Sequence, residues 1–223
     1  MNGLELSAGQ LAQFEVFKEN LLDWNTRMNL TAITDDTGIW QKHFADSLTL
    51  LPFLPVGEFS MIDVGSGAGF PGIPIKIMRP DVDLTLLDST RKRVTFLEDS
   101  VRRLGLESVD CVHARAEEYR GSFDVCTTRA VARLDKLIKW CMHLLKPGGV
   151  FLAMKGSQVE AELEEAMPVI KKLGGELVEV RKVEVVPGLV ARSAHCSAMQ
   201  PGLLHSVVVI CYTGGKREGV KLT

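Results

Sequence analysis

Apolar residues recur along this chain with two different periods, and the change of period divides it. Leu11, Phe14, Phe17, Leu21 and Trp24 follow one another at steps of three or four, as a helix with one buried face requires. Ser7 to Gln10 has the S-x-x-Q pattern of a capping box, with Leu6 and Leu11 at the positions of a hydrophobic staple. The polar, threonine-bearing stretch from Asn25 to Ile33 predicts an end to this helix near Met28. A second helix is expected from Asp35 or Asp36, carrying Ile39, Trp40, Phe44, Leu48 and Leu51 to Pro52. Some fifty residues alone would bury little core. Residues 1–55 therefore read as a helical extension packed on a main domain of residues 56–223.

Beyond the extension, short apolar runs alternate with helical patterns. Strands are predicted at 59–64, 83–88, 109–113, 123–128 and 149–155, and helices near 71–79, 90–104, 132–145 and 157–173. Such alternation implies a parallel sheet covered on both faces. Two apolar runs, 176–186 and 205–212, close the chain with only a glycine- and proline-marked loop between them. Two strands joined in that way must run antiparallel.

Composition narrows the class little. With 46% hydrophobic and 24% charged residues among 223, the chain reads as an ordinary soluble globule. Its apolar runs are too short to span a bilayer, and Met1 to Gln10 lacks the segments of a signal peptide. The five cysteines lie far apart with no C-x-x-C pair, which suits buried thiols in a reducing cytoplasm rather than disulfides or zinc. A net charge of −2 does not suggest a protein that coats naked nucleic acid. Basic residues do cluster, at Arg91, Lys92, Arg93, Arg102 and Arg103, and at Arg129, Arg133, Lys136 and Lys139. Either cluster suits a solvated helix face as well as an RNA surface.

The chemistry concentrates in Asp63 to Gly72, DVGSGAGFPG. A strand, a glycine turn and a helix in that order form the nucleotide-binding first unit of a Rossmann-like sheet. Gly67, Gly69 and Gly72 fit the dinucleotide fingerprint, while Asp63, Gly65, Gly67 and Gly69 fit D-x-G-x-G-x-G. Charge separates the two readings. A carboxylate at the strand end would repel a pyrophosphate, whereas Asp63 would attract the ammonium and sulfonium of S-adenosylmethionine. No lysine follows the glycines, so a phosphate-gripping P-loop is excluded. Five parallel strands closed by an antiparallel hairpin form the sheet of class I methyltransferases, which agrees with that cofactor.

Other candidates lie at the ends of the later strands. Asp88 closes the second strand, where an acid accepts hydrogen bonds from ribose hydroxyls. It also suits a helix cap, as does Ser89. Arg115, Ala116 and Glu117 follow the third strand, where the adenine edge would lie, and a backbone N–H and C=O suffice to read that base. Arg129 follows the fourth strand and can hold a carboxylate or phosphate by a bidentate pair, or simply form a surface ion pair. Lys155 has the same ambiguity. His43 and Asp46 stand three apart on one helix face and suit mutual orientation.

Several phrases in fixed order carry a more specific signal: WNTRMNLTAI, HFADSL, DVGSGAGFPGIP, LLDSTRKRVTFL, RAEE and TRAVARL. Together they closely resemble the bacterial 16S ribosomal RNA guanine-N-7 methyltransferase family, once called glucose-inhibited division protein B. The likeness runs over about residues 10 to 156. It implies a class I fold, S-adenosylmethionine as methyl donor and a guanine of small-subunit rRNA as acceptor, with no metal. By position, it implies cofactor contacts from Gly65, Phe70, Asp88, Ser89, Thr90, Ala116, Glu117 and Arg129. Guanine N-7 carries a free lone pair, so no general base is required, and His43, Asp46 and Arg129 become candidates for positioning the acceptor. The tail departs from the family pattern, with His205 and Ser206 before the last apolar run. A class I methyltransferase on another acceptor and a non-catalytic, cofactor-binding ribosome-assembly factor are the competing expectations.

Overall fold

The computed structural model describes residues 4–129, 132–185, 190–191 and 203–214. Ser7 starts the first helix, α1 (Ala8–Asn25), through both halves of the capping box: Ser7 Oγ accepts from Gln10 N, and Gln10 Oε1 accepts from Ser7 N. The helix stops short of Met28 because Asn25 folds the next stretch back on itself. Its Oδ1 accepts from Leu30 N at 2.8 Å and Thr31 N at 3.0 Å, and its amide donates to Thr31 O. A second helical rod, α2, spans 36–48. Asp35 caps its α-helical start (Asp36–Ile39), accepting from Gly38 N at 2.7 Å; a π-helical turn (Trp40–Ala45) and a final α turn (Asp46–Leu48) follow. Apolar spacing predicts this rod but not its π turn, a feature that recurs at functional sites.

Seven strands build one sheet: β1 (Ser60–Val64), β2 (Asp83–Asp88), β3 (Val109–His113), β4 (Phe123–Arg129), β5 (Leu145–Gly156), β6 (Gly175–Val185) and β7 (Leu203–Tyr212). The crossover helices are α3 (Gly72–Met78), α4 (Arg91–Leu104), α5 (Leu134–Cys141) and α6 (Glu160–Lys172). Strand order is β3-β2-β1-β4-β5-β7-β6, with β1 to β5 parallel and β7 antiparallel to both of its neighbours. The predicted closing hairpin is therefore present, but its second strand inserts beside β5 instead of extending the sheet edge. Burial explains the choice. Val207, Val208, Val209 and Ile210 are all fully buried, as a strand covered on both faces must be. In β6 exposed and half-buried residues dominate the first eight positions, which suits an edge.

Two apolar clusters fill the faces of the sheet. One of them is shared with the helical extension: Phe17 stacks on Phe44 and Phe96, at 5.7 and 6.5 Å between ring centroids, and meets Phe70 at 5.4 Å. Each such buried ring contributes about 1.5–3 kcal/mol, so α1 and α2 are welded to the side of the sheet where the glycine turn lies. Cys111, Cys126, Cys141 and Cys211 are free thiols; Cys196 lies outside the described residues. Among the described residues no helix is long and apolar enough to cross a membrane.

Candidate active site

The glycine turn leaves β1 and clamps onto the tip of β2, where Gly65 N and Ser66 N both donate to Leu87 O. Gly65 and Gly67 have φ of 73° and 56°, in the left-handed region that side chains disfavour. A Cβ on Gly67 would point into open space, with only Gly65 O within 4 Å. The turn thus presents bare backbone to open space, a cradle that a side chain would fill. Gly72 is required for the opposite reason. A Cβ there would lie 2.6 Å from Leu86 and 2.9 Å from the Asp63 carboxylate, so helix α3 can approach the sheet only without one.

Asp63 sits behind this turn, not in the groove. It is fully buried; Oδ2 accepts from Gly72 N at 3.0 Å and Oδ1 from Thr127 Oγ1 at 3.4 Å. Burial pushes its pKa up to about 7, against those hydrogen bonds and the Arg129 charge. The carboxylate expected to meet a cationic ligand therefore tethers the turn, and reaches a ligand only through space. Asp88 stands at the groove itself. Its Oδ2 accepts from Gly67 N at 3.0 Å and its Oδ1 from Thr90 N at 2.8 Å, with Arg93 3.5 Å away. Oδ1 keeps a lone pair, while Oδ2 is shared with Arg93, and the side chain is only 2% exposed. Ser89 and Thr90 are exposed beside it. Ala116 is buried and Glu117 exposed in the turn after β3, which joins the same rim where His113 Nε2 lies 3.0 Å from Ser89 O. Phe70 turns its ring inward, 3% exposed, so its side chain is a wall of the core.

The second half of the site is a cleft of about 970 Å³ between α2, the ends of β4 and β5, and β7. It is lined by His43, Asp46 and Arg129, but not by Asp88, Ala116 or Glu117. Arg129 Nη1 donates to Asp46 Oδ2 at 3.0 Å and Lys42 O at 3.1 Å, while Nη2 lies 3.3 Å from His43 Nδ1. Its guanidinium also stands over the Phe70 ring at 4.9 Å. His43 stacks on that ring at 4.5 Å and reaches Thr31 Oγ1 through Nε2 at 2.8 Å. Burial, helped by the Arg129 charge, brings the His43 pKa down to about 4. The imidazole is therefore neutral near pH 7. Lys155, also in the cleft, donates to Ala132 O and pairs with Glu162 at 2.8 Å. His205 enters from β7 and was not singled out as a site residue by sequence reasoning. Its place just before a strand buried on both faces was the available signal.

With this geometry in hand, the relatives become informative. The model of a family described as rRNA small subunit methyltransferase G matches residues 10–189. The chain belongs to the rRNA small subunit methyltransferase G family. A Clostridium kluyveri protein named for that activity is 48% identical over 189 residues, covering 82% of this chain and 80% of the relative. An Exiguobacterium sibiricum protein of the same name is 42% identical over 223 residues, covering 89% and 94%. A solved structure described as a SAM dependent methyltransferase from Aquifex aeolicus shares the fold. Its TM-score is 0.55 at 16% identity, covering 87% of this chain and 98% of that one. The rRNA small subunit methyltransferase G match includes α2, with His43 and Asp46, as well as the glycine turn. His205 and β7 lie past the matched residues.

Proposed function

We propose that this protein transfers a methyl group from S-adenosylmethionine to N-7 of a guanine in 16S rRNA, acting on the small ribosomal subunit in the cytoplasm. Family membership supports the reaction class, and the open backbone groove above Gly67 with Asp88 at its rim is the observation that supports the cofactor. When bound, S-adenosylmethionine supplies a methyl group on a positively charged sulfur. In this reading Gly65 and Gly67 bring the backbone close, Asp88 accepts from ribose hydroxyls, and the turn containing Ala116 and Glu117 lines the adenine. Ser89, Thr90 and Phe70 shape the groove between them. Residues 1–55 serve as the extension that carries α2 to the acceptor.

The acceptor side suits a nucleophile with no proton to lose. His43 is a weak base with a pKa near 4, and both of its ring nitrogens are engaged, with Thr31 and Arg129, so neither is open to take a proton from an acceptor. Arg129, fixed by Asp46 and Lys42 O, aims a fixed positive charge at the cleft. Alignment of an already reactive lone pair with the methyl carbon is then the main task, and preorganised geometry performs it. Guanine N-7 meets that condition; an amine or hydroxyl acceptor would need a base. Single-turnover methylation of small ribosomal subunits from about pH 6 to 9 tests the reading. The rate should be nearly flat, and His43→Asn should lower it mildly without changing the profile. A steep rise through neutrality that disappears in His43→Asn would point to a different acceptor atom.

A further inference from the structure

His205 enters the cleft from β7, opposite Gly156 of β5, and is 7% exposed. Its two ring nitrogens meet two residues of one helical turn. Nε2 lies 3.1 Å from Thr49 Oγ1. That hydroxyl already donates its only hydrogen to Asp46 O at 2.6 Å, so here it accepts, and Nε2 carries the proton. Nδ1 faces Asp46 Oδ1 at 2.9 Å. The gap is within ion-pair range, but the atoms are out of line for a hydrogen bond, and Nδ1 has no hydrogen-bond partner. The other carboxylate oxygen, Oδ2, accepts from Arg129 at 3.0 Å. Asp46, almost buried, thus lies between Arg129 from β4, which donates to it, and His205 from β7, which pairs with it only as an imidazolium.

We propose that His205 is a positioning residue for methyl transfer, holding the Asp46 carboxylate so that Asp46 in turn aims Arg129 into the cleft. The proposal rests on the reading of Arg129 as a group that orients the acceptor. Without His205 the carboxylate has one basic partner instead of two. The carboxylate is then free to turn, and the Arg129 guanidinium bonded to it turns with it, out of line with the substrate. Small displacements of an orienting group are costly because alignment supplies much of the rate. The last strand, outside the glycine motif and outside the family match, thereby contributes to the site.

Asparagine and glutamine separate the two ring nitrogens. In His205→Asn an amide nitrogen falls near the place of Nδ1, keeping a donor towards Asp46 and losing Thr49. His205→Gln puts it near the place of Nε2 and does the reverse. Single-turnover rates on small ribosomal subunits, calorimetric affinity for S-adenosylmethionine and melting temperatures should be measured for both, for Asp46→Asn, and for the His205→Gln/Asp46→Asn double variant. His205→Asn should stay within about 3-fold of the parent rate. His205→Gln and Asp46→Asn should each lose about 10-fold, and the double variant no more than about 10-fold, because groups in one network do not act additively. Cofactor affinity should stay within about 3-fold throughout, since the groove above Gly67 is untouched. Equal losses in the two His205 variants, or a double variant lower by about 100-fold, would overturn the proposal. If His205→Gln does not fold, a 10-fold loss in folded His205→Asn would overturn it as well. Full activity in Arg129→Ala would instead remove the reading beneath it.

Discussion

The two halves of the site are built by different means. On the groove side, between the tips of β1, β2 and β3, the backbone does most of the work: left-handed glycines, amide groups and one carboxylate, Asp88, drawn from a short stretch of sequence. On the cleft side, side chains do it, and they come from far apart: His43 and Asp46 from α2, Arg129 from β4, His205 from β7. A cofactor of constant shape suits a backbone cradle, which has few ways to vary. In the reading proposed above, an acceptor nucleotide presented by a large RNA is aligned by charge and hydrogen bonds, which long side chains provide. The halves meet at Phe70, whose ring packs against His43 and Arg129 while its backbone belongs to the glycine turn.

The hardest blow to the comparison comes from the groove. Gly67→Val would place a branched side chain in the open space above the turn, at a φ of 56° that side chains resist. Cofactor binding, followed by calorimetry, should fall by at least about 100-fold while the circular dichroism of the folded sheet persists. Unchanged affinity would move the cofactor elsewhere.

Acid separates the halves more subtly, because each contains one displaced titration of opposite sign. His43 has a folded pKa near 4, below its ordinary 6.5. Between those values the unfolded chain binds a proton that the folded chain does not, so stability is lost as pH falls through that window. Asp63 has a folded pKa near 7, above its ordinary 3.8. There the folded chain holds the extra proton, so stability is gained as pH falls from about 7 towards 4. Each contribution is on the order of 3 kcal/mol, and in the intact protein they largely cancel. Urea unfolding between about pH 4.5 and 7 should therefore show Asp63→Asn to be more acid-sensitive than the parent and His43→Asn less so. Parallel curves for all three would show that neither group titrates as burial dictates.

A smaller effect is expected at the groove's rim. Asp88→Ala removes the acceptor for Gly67 N and Thr90 N and should cost about 1–3 kcal/mol of cofactor affinity. The rate at saturating cofactor should change less, which a KM-against-kcat comparison would show. Smallest of all is the effect expected at the basic start of α4, which we read as a surface for RNA. Arg91 and Lys92 are exposed, whereas Arg93 leans on Asp88 at 3.5 Å. Reversing Arg91 and Lys92 to glutamate should flatten the dependence of log RNA affinity on log salt by about 1–2 units and leave cofactor affinity intact. A collapse of cofactor affinity would place those residues in the groove half.

What was legible in the sequence follows the same division. The capping box at Ser7, the glycine turn, Asp88 at its strand end and the alternation of strands and helices are local patterns, and each is present in the structure. Asp63 shows the limit of local reading: its charge is visible in the sequence, but its depth behind the turn is not. The Asp46–Arg129–His205 cluster joins Asp46 to residues 83 and 159 positions further along the chain, and no window of sequence contains it. The place of β7 was hidden for the same reason. Its hairpin partner is local in sequence, but its pairing with β5 is not.

That inserted strand has a consequence for how the protein comes into being. A ribosome synthesises residues 203–212 after every other strand of the sheet. Until they emerge, β5 and β6 have no common neighbour, and each leaves an open row of peptide groups. A nascent chain at that stage exposes sticky edges and lacks the strand that carries His205. Production stalled or truncated shortly before residue 203 should yield material that aggregates and does not methylate, even though the glycine turn and most of the sheet have already been made. The last strand to be translated is therefore the one that both closes the sheet and brings His205 to the cleft.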